Sequence, residues 1–246
     1  EFLTISAVRP APEAPASHYV GIFSDITLIK EHQSRLERMA HYDALTQLPN
    51  RTLLADRLQL ALAHAARAGK QLAVCYLDLD GFKPVNDGFG HEAGDHLLVE
   101  VAGRLKACLR GSDTVARLGG DEFVILLGEL EGFAECARAL DRILHHVAEP
   151  YQINGTPVFI SASAGVTLFP EDGGDADALL RHADQAMYLA KQAGRNRYHL
   201  FDPEHDRRAR AHREAVGRIA QALADREFRL HYQPKVDMRR RQVFAV

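Results

Sequence analysis

The stretch that decides the fold is Thr114–Leu127, which reads TVARLGGDEFVILL. Two apolar runs flank Gly119-Gly120, a pattern typical of a β-hairpin with the glycines at its tip. Asp121 and Glu122 follow the glycines directly. The pattern therefore predicts two neighbouring strands with a pair of carboxylates at the turn that joins them.

A second acidic strand end precedes this hairpin. Residues 72–77 form an unbroken apolar run, typical of a central strand buried on both faces, and the run ends in Asp78. Gly81 then leads into a predicted turn at Phe82-Lys83. Buried carboxylates are costly unless they are paired or bind a metal, so acids at two central strand ends indicate a magnesium-type site. The alternative is that these acids lie in exposed loops and have no function.

Helical and strand patterns alternate around these runs. Apolar residues recur at helical spacing in three segments: 97–108, 133–147 and 179–190. A further helix is predicted from the turn cluster at 43–51 to about Ala68, with Gly69 closing it. Further strands are predicted at 158–169 and 198–201. The order of elements predicts an α/β domain, of the α+β type, with a mixed central β-sheet covered by helices.

Composition narrows the classes of partner. The 246 residues carry 30 Lys plus Arg against 33 Asp plus Glu, too balanced for a large basic surface. No apolar stretch approaches the ~20 residues of a membrane span. We therefore expect no nucleic-acid partner, no membrane contact by this chain and a cytoplasmic location, although a longer parent protein could be membrane-anchored. Cys75, Cys108 and Cys136 are predicted to be buried, unpaired thiols.

The motifs of this chain, taken together, resemble those of the GGDEF family of diguanylate cyclases. The resemblance spans about residues 43–201. The matching motifs are Asp43–Arg51, Asp78–Asp87, Gly90-His91, Gly94-Asp95, Arg117–Phe123, Ala190-Lys191 and Gly194–Asn196. Because several motifs occur in the right order, a chance match to the family is very improbable. A single five-letter motif would not support that conclusion. One departure is Gln47, which stands where the family usually has Gly.

The resemblance implies a fold like the palm of nucleotidyl cyclases and polymerases. It also implies an enzyme that condenses two GTP molecules into the second messenger cyclic di-GMP, with release of pyrophosphate, as an antiparallel homodimer. Asp78, the carbonyl of Leu79, Asp121 and Glu122 would hold Mg²⁺, or Mn²⁺ in its place. The three acids are the implied catalytic residues, and which of Asp121 and Glu122 is ligand or base stays open. Asp80 shares a strand face with Asp78 but matches no metal role.

The resemblance also implies a substrate site. The implied residues are Phe82, Lys83, Asn86, Asp95, Gly119, Gly120, Lys191 and Arg195. Asn86 and Asp95 suit guanine, because an amide can donate to O6 and a carboxylate can accept from N1–H and N2–H₂. The cations would meet the phosphates, and the glycines would let phosphate approach the backbone. The alternatives are turn or cap roles for Asn86 and Asp95, and a core role for Phe82.

An inhibitory product site is implied by Arg110 and Asp113, which form an RxxD motif upstream of Gly119. Arginine can grip phosphate or guanine with two hydrogen bonds, so product binding there is reasonable. A weak surface ion pair is the alternative. Arg138 and Arg142 are both candidates for a second arginine of this site.

Both ends of the chain resemble neighbours of GGDEF domains. We interpret 1–27 as the C-terminal hairpin of a PAS-like sensor, 28–42 as a coiled-coil-like helical linker, 43–202 as the GGDEF domain, and 203–246 as a linker helix with the truncated start of an EAL-like phosphodiesterase. We predict no cyclic di-GMP hydrolysis by this chain. The alternative function is a non-catalytic module that binds GTP or cyclic di-GMP and controls an adjacent EAL domain.

Overall fold

The computed structural model describes residues 2–8, 13, 15, 18–203 and 235–245. The helices are α1 Thr27–His41, α2 Arg51–Ala68, α3 Phe82–Phe89, α4 His91–Ala107, α5 Phe133–Val147 and α6 Ala176–Gln192. The strands are β1 Phe2–Val8, β2 His18–Ser24, β3 Gln71–Asp80, β4 Thr114–Gly119, β5 Glu122–Leu130, β6 Tyr151–Ile153, β7 Thr156–Val158, β8 Ser161–Phe169, β9 Arg197–Leu200, β10 Lys235–Asp237 and β11 Gln242–Ala245.

The central sheet has five strands in the order β4-β5-β3-β8-β9. All neighbours are antiparallel except β8 and β9, which are parallel, so the sheet is mixed as predicted. Successive side chains of β3 point to opposite faces. Cys75 and Leu77 lie in a core cluster with α4 and α5, whereas Val74 and Tyr76 lie in a second cluster with α2 and α6.

The register of β3 brings the acidic strand ends together. Asp78 lies opposite Glu122 of β5 on one side and opposite Ser163 of β8 on the other. Between β4 and β5, Gly119 has a φ of 145° and Gly120 a φ of 51°. Side chains rarely allow such values, so the predicted glycine tip is needed for the turn that presents the carboxylates.

Close packing brings α6 to the same end of the sheet. An added Cβ at Gly165 of β8 would lie 1.9 Å from the carbonyl oxygen of Ala183 and 2.1 Å from the backbone N of Met187. Only glycine therefore allows α6 to lie this close to β8. The last turn of α6 carries Lys191.

Two local elements differ from the sequence prediction. The strand predicted over 158–169 is interrupted, because β6 and β7 form a separate hairpin and β8 begins at Ser161. The Asn154-Gly155 turn of that hairpin, with φ values of 52° and 77°, is a local sequence signal for it. The predicted turn at Phe82-Lys83 is the start of helix α3, whose first turn accommodates Pro84.

The flanking segments agree with their predicted secondary structure. β1 and β2 pair as an antiparallel hairpin, and α1 spans the predicted helical segment. Their assignment to a sensor and a coiled coil stays a prediction. Residues 204–234, with the predicted linker helix and EAL-like strand, lie outside the described residues. Residues 235–245 form a second hairpin around an exposed turn that includes Arg239–Arg241.

The chain divides into two compact units, 1–201 and 202–246, which are described separately. Within the described residues, no helix combines the length and the apolar character needed to cross a membrane. The three cysteines are buried and free of disulfides, as predicted.

Candidate active site

The candidate active site lies at the edge of the sheet where β3 and β5 meet. Asp78 and Glu122 face each other across the two strands, so their side chains lie on the same face. The backbone N–H of Leu79 donates to the carbonyl of Asp121 at 3.2 Å. The structure thus brings together the four residues for which a metal role is predicted.

Asp78 is largely buried, with 14% of its side chain exposed. The Lys191 Nζ lies 2.8 Å from its Oδ1. Burial, together with the neighbouring carboxylates of Asp121 and Asp80, nevertheless raises the pKa of Asp78 against the opposing effect of Lys191. The main cause is burial, and a further positive charge at this edge would stabilise the ionised carboxylate.

The donors at this edge suit a hard divalent cation. Carboxylate and main-chain oxygens are the ligands that Mg²⁺ prefers, and Mn²⁺ accepts the same set. No group of three His, Cys, Asp or Glu side chains in the described part of the chain is already arranged around a common metal position. The ammonium group of Lys191 now balances Asp78 instead. By donor type and by charge, the residues fit a divalent cation.

Glu122 has a buried partner that the sequence analysis missed. The hydroxyl of Tyr76 donates to Glu122 Oε2 at 3.0 Å. Burial, followed by the charges of Glu122 and Asp184, raises the pKa of Tyr76, so the phenol remains a donor. The available signal was the spacing of two between Tyr76 and Asp78 in a strand, which places both side chains on one face.

Arg117 holds the turn that carries Asp121 and Glu122. Its Nε and Nη2 donate to the carbonyl of Gly120 at 3.0 and 2.8 Å. Its Nη1 lies 2.9 Å from Asp43 Oδ1. Although burial acts in the other direction, hydrogen bonds from Thr46 and Arg117 lower the pKa of Asp43. The motif that begins at Asp43 therefore fixes the position of the hairpin tip.

The unusual Gln47 does not disturb this motif. It adopts a left-handed conformation, with a φ of 57°, at the position where the family usually has Gly. Its Nε2 donates to the carbonyl of Ala44 at 2.9 Å. Asn50 caps α2 by accepting from the backbone N–H groups of Thr52 and Leu53.

The residues with a predicted guanine role lie around the loop between α3 and α4. An added Cβ at Gly94 would lie 1.9 Å from Asn86 Oδ1 and 3.3 Å from Phe82 Cζ, so the Asn86 amide packs against this glycine. Asp95 is exposed beside it, and Lys83 is exposed on α3. Phe82 is 8% exposed and belongs to the core, so its core role is confirmed and its pocket role stays a prediction.

Asp80 anchors the turn that presents Arg195. Its carboxylate accepts from the hydroxyls of Ser161 and Ser163 at 2.8–2.9 Å and from the backbone N–H of Asn196 at 3.2 Å. Arg195 Nε lies 3.8 Å from Asp80 Oδ1, and the Arg195 side chain is 65% exposed. The sequence analysis assigned Asp80 no metal role, and the structure shows a structural one.

The RxxD motif lines a separate cavity of about 140 Å³. Asp113 Oδ2 accepts from the backbone N–H of Arg110 at 2.9 Å, and Arg110 Nη1 lies 2.9 Å from Glu135 Oε1. Arg138 and Arg142 line the same cavity. Arg142 Nη2 donates to the carbonyl of Cys108 at 2.8 Å. Glu135 was not anticipated, because it approaches from α5 and lies outside the motif.

Comparisons with known proteins agree with this architecture. The family profile described as "Diguanylate cyclase, GGDEF domain" matches residues 40–197. The chain is 45% identical over 210 residues to the bifunctional diguanylate cyclase/cyclic di-GMP phosphodiesterase MucR of Pseudomonas aeruginosa, covering 85% of this chain and 30% of MucR. It is 40% identical over 216 residues to the cyclic di-GMP phosphodiesterase PdeR of Escherichia coli, covering 88% of this chain and 32% of PdeR. The chain thus spans about a third of the length of these relatives.

Solved structures show the same fold. The GGDEF domain of TpbB from Pseudomonas aeruginosa superposes with a TM-score of 0.67 at 43% identity, over 69% of this chain and 99% of that domain. The coiled coil and GGDEF domain of DgcB from Caulobacter crescentus, in complex with cyclic di-GMP, superposes with a TM-score of 0.65 at 29% identity, over 71% of this chain and 93% of DgcB. The mixed palm-like sheet, its acidic edge and the profile match lead to one conclusion: the chain belongs to the GGDEF family.

Proposed function

We propose that this chain is a Mg²⁺-dependent diguanylate cyclase that condenses two GTP molecules into cyclic di-GMP. The observation that carries the proposal is the acidic sheet edge, where the register of β3 and β5 sets Asp78 opposite Glu122 and a backbone hydrogen bond joins Leu79 to Asp121. Lys191 Nζ lies 2.8 Å from Asp78 at the same edge. Such an edge attracts a divalent cation and its bound triphosphate. MucR and TpbB, which are similar to this chain, are both named as diguanylate cyclases.

In the proposed reaction, the 3′-hydroxyl of each GTP attacks the α-phosphorus of the other. A new phosphodiester bond forms, pyrophosphate leaves, and the hydroxyl proton passes to a carboxylate of the site or to solvent. Mg²⁺, held by Asp78, the Leu79 carbonyl, Asp121 and Glu122, would neutralise the triphosphate and promote formation of the attacking oxyanion.

The remaining substrate residues would orient GTP. Lys191, Arg195 and Lys83 supply positive charge for the phosphates, and the glycine tip leaves the backbone open to them. Asn86 and Asp95 would select guanine, because the amide of Asn86 donates to O6 and the carboxylate of Asp95 accepts from N1–H and N2–H₂. Adenine offers an unprotonated N1 in that position and leaves the carboxylate unpaired.

The proposed reaction needs two chains, because each site holds one GTP. Helix α1 supports pairing, since several large apolar side chains are 64–69% exposed on it: Leu28, Ile29, Leu36 and Met39. We infer that two copies of α1 pair and let two GGDEF domains meet in antiparallel orientation. The rate should then rise faster than linearly with protein concentration.

We also propose product feedback at the cavity of Arg110 and Asp113. Arg138 is the better candidate for the second arginine, because the guanidinium of Arg142 is already engaged by the Cys108 carbonyl. None of the residues that line this cavity belongs to the acidic edge.

The experiment incubates the purified chain, over a range of protein concentrations, with GTP and Mg²⁺ and follows cyclic di-GMP and pyrophosphate by chromatography. Glu122→Gln is the matched control, since it changes one carboxylate into an amide of the same shape. We expect product in the wild type with a rate that rises more steeply than concentration, and none in the variant. Equal rates in both would contradict the proposal.

A second candidate function is a non-catalytic regulatory module that binds GTP or cyclic di-GMP and controls an adjacent phosphodiesterase. It is favoured by the names of two relatives, PdeR and NbdA, which are each 40% identical to the chain and are named cyclic di-GMP phosphodiesterases. Tight GTP binding without pyrophosphate release, in a version dimerised by a fused coiled coil, would support this function and exclude the first.

A further inference from the structure

Tyr76 is a buried strand residue whose hydroxyl contacts the candidate active site. It lies in the middle of β3, two residues before Asp78 and on the same face. Across the sheet it pairs with Val124, which is two residues beyond Glu122 in β5. Only 9% of Tyr76 is exposed. Its hydroxyl nevertheless reaches the acidic edge and donates to Glu122 Oε2 at 3.0 Å.

On the sheet face that packs against α2 and α6, the ring of Tyr76 fills space in an apolar cluster, and its hydroxyl is not needed for that packing. The neighbouring core residues Val74, Val124 and Met187 are apolar, and phenylalanine would fill the same volume. A buried hydroxyl without a partner destabilises the folded chain. Here the partner is a side chain of the candidate active site, so the hydroxyl connects the core to that site.

Glu122 benefits from such a connection. A glutamate side chain has several rotatable bonds, and fixing it costs conformational entropy. A hydrogen bond to Oε2 fixes the carboxylate plane before any ligand arrives and leaves Oε1 available to another partner. Hydrogen bonds to an ionised carboxylate are also stronger than those between neutral groups.

We propose that Tyr76 is a positioning residue whose hydroxyl orients the Glu122 carboxylate toward the cation site at the end of β3. The inference rests on the proposed function for the role of Glu122 in holding the cation. It assigns to Tyr76 a contribution beyond the motifs of the family. It also explains why Glu122, at the acidic edge, accepts a hydrogen bond from the buried Tyr76.

The test compares Tyr76→Phe with a matched control, Tyr151→Phe. Tyr151 is also a buried tyrosine, and its hydroxyl donates to the carbonyl of Val147 at 2.9 Å. Both variants therefore lose one buried hydroxyl and its hydrogen bond. Mn²⁺ binding is measured by electron paramagnetic resonance with a non-hydrolysable GTP analogue, and kcat and KM for GTP are measured separately.

We expect Tyr76→Phe to weaken Mn²⁺ binding and to lower kcat, each by about tenfold, the size typical for loss of a partner of a metal ligand. KM for GTP should stay within about twofold of the wild type, and Tyr151→Phe should change none of these quantities beyond that margin. Unchanged Mn²⁺ binding in Tyr76→Phe, or an equal loss in Tyr151→Phe, would overturn the inference.

Failure of the proposed function gives a different result. If the wild type, fused to a dimerising coiled coil, binds Mn²⁺ but releases no pyrophosphate, the cyclase proposal fails. The difference in Mn²⁺ affinity between wild type and Tyr76→Phe then still decides the role of Tyr76. A wild-type chain that binds no Mn²⁺ overturns the inference itself.

Discussion

Two ion pairs of the chain have nearly the same length but lie in different surroundings. Lys191 and Asp78 approach to 2.8 Å at the edge of the sheet, with 30% and 14% of their side chains exposed. Arg110 and Glu135 approach to 2.9 Å at the RxxD cavity, with 65% and 22% exposed. The better shielded group is an anion in both pairs, and the charges of Asp121 and Asp80 act on Asp78.

The two pairs differ in the charge of the ligand that their surroundings favour. At the sheet edge, burial and nearby acids keep the pKa of Asp78 raised, so a further cation is favoured there. At the cavity, the exposed Arg110 is already hydrated, and pairs of this kind contribute little. An anionic ligand would therefore displace Glu135 at small cost. In the proposed function, the first ion pair lies at the cation site and the second at the product site.

The largest effect is expected from Gly165→Ala, which would move Lys191 away from Asp78. Gly165→Ala places a Cβ within 2.1 Å of two backbone atoms of α6, the helix that carries Lys191. We expect the free energy of unfolding to fall by about 3 kcal/mol and cyclase activity to be lost. Urea unfolding and product assays measure the two effects.

The control for this change is Gly103→Ala. Gly103 lies in α4, and an added Cβ there would meet no atom within 4 Å. Alanine at an exposed helical position should stabilise the chain by about 0.5–1 kcal/mol. Equal stabilities for the two alanine variants would mean that α6 does not depend on the close contact with β8.

The second change removes the cation from Asp78. Lys191→Met should lower cyclic di-GMP formation by about 100-fold, because the phosphates and the acidic edge lose one positive charge. Lys191→Arg keeps the charge and should retain more activity. If Lys191→Met and wild type turn over GTP at the same rate, Lys191 has no role in the reaction.

Lys191→Met should also change the pH dependence of stability in the presence of EDTA. The pKa of Asp78 lies above its usual 3.8, so the folded chain binds a proton more readily than the unfolded chain. Loss of Lys191 raises this pKa further. The destabilisation of Lys191→Met should therefore grow as pH rises from below 4 to 7, and a loss that shrinks over this range would contradict the assignment.

A smaller effect is expected at the second pair. Glu135→Gln frees the Arg110 guanidinium, so cyclic di-GMP should bind the RxxD cavity about two- to fivefold more tightly in calorimetric titrations. Arg110→Ala should weaken the same binding about tenfold or more. Weaker binding in Glu135→Gln would show that Glu135 assists the ligand and does not compete with it.

The smallest effect is expected away from both pairs, at Gln47. Gln47→Gly relieves a left-handed conformation but loses the hydrogen bond to Ala44 and adds flexibility to the unfolded chain. The free energy of unfolding should change by less than about 1 kcal/mol, and product formation should be unaffected. A large loss of activity would show that the hairpin tip depends on the Gln47 side chain and not only on Asp43 and Arg117.

Local patterns were sufficient for much of the fold. The apolar run before Asp78 and the glycine tip between β4 and β5 are both short, local patterns. Together they predicted that the acidic strand ends lie side by side. Helix α3 was missed because Pro84 and Gly88 weaken a helical pattern over so short a segment. The interruption before Ser161 was missed because the residues at which it occurs, Phe159 and Ile160, are themselves apolar and typical of strands.

The partners at the sites depend on packing between distant segments. Lys191 reaches Asp78 across more than a hundred residues because Gly165 lets α6 approach β8. Glu135 reaches Arg110 from a different element, and the hydrogen bond of Tyr76 depends on the register of β3 with β5. No pattern within one segment encodes these contacts. Asp78, Lys191 and Arg110 were therefore predicted as site residues without their pairing, and the roles of Glu135 and Tyr76 were missed.

If the acidic edge is a catalytic centre, the phosphate groups of GTP must end up in cyclic di-GMP and pyrophosphate. Identifying these products directly is the sharpest test of that role. Phosphorus-31 NMR would follow GTP with Mg²⁺ and the chain fused to a dimerising coiled coil, beside the same fusion carrying Glu122→Gln. In the wild-type fusion we expect pyrophosphate in amounts equal to the GTP consumed, a new phosphodiester signal and no orthophosphate. In the variant we expect neither pyrophosphate nor the phosphodiester signal. Intact GTP in both samples, or orthophosphate as the product, would contradict the catalytic role.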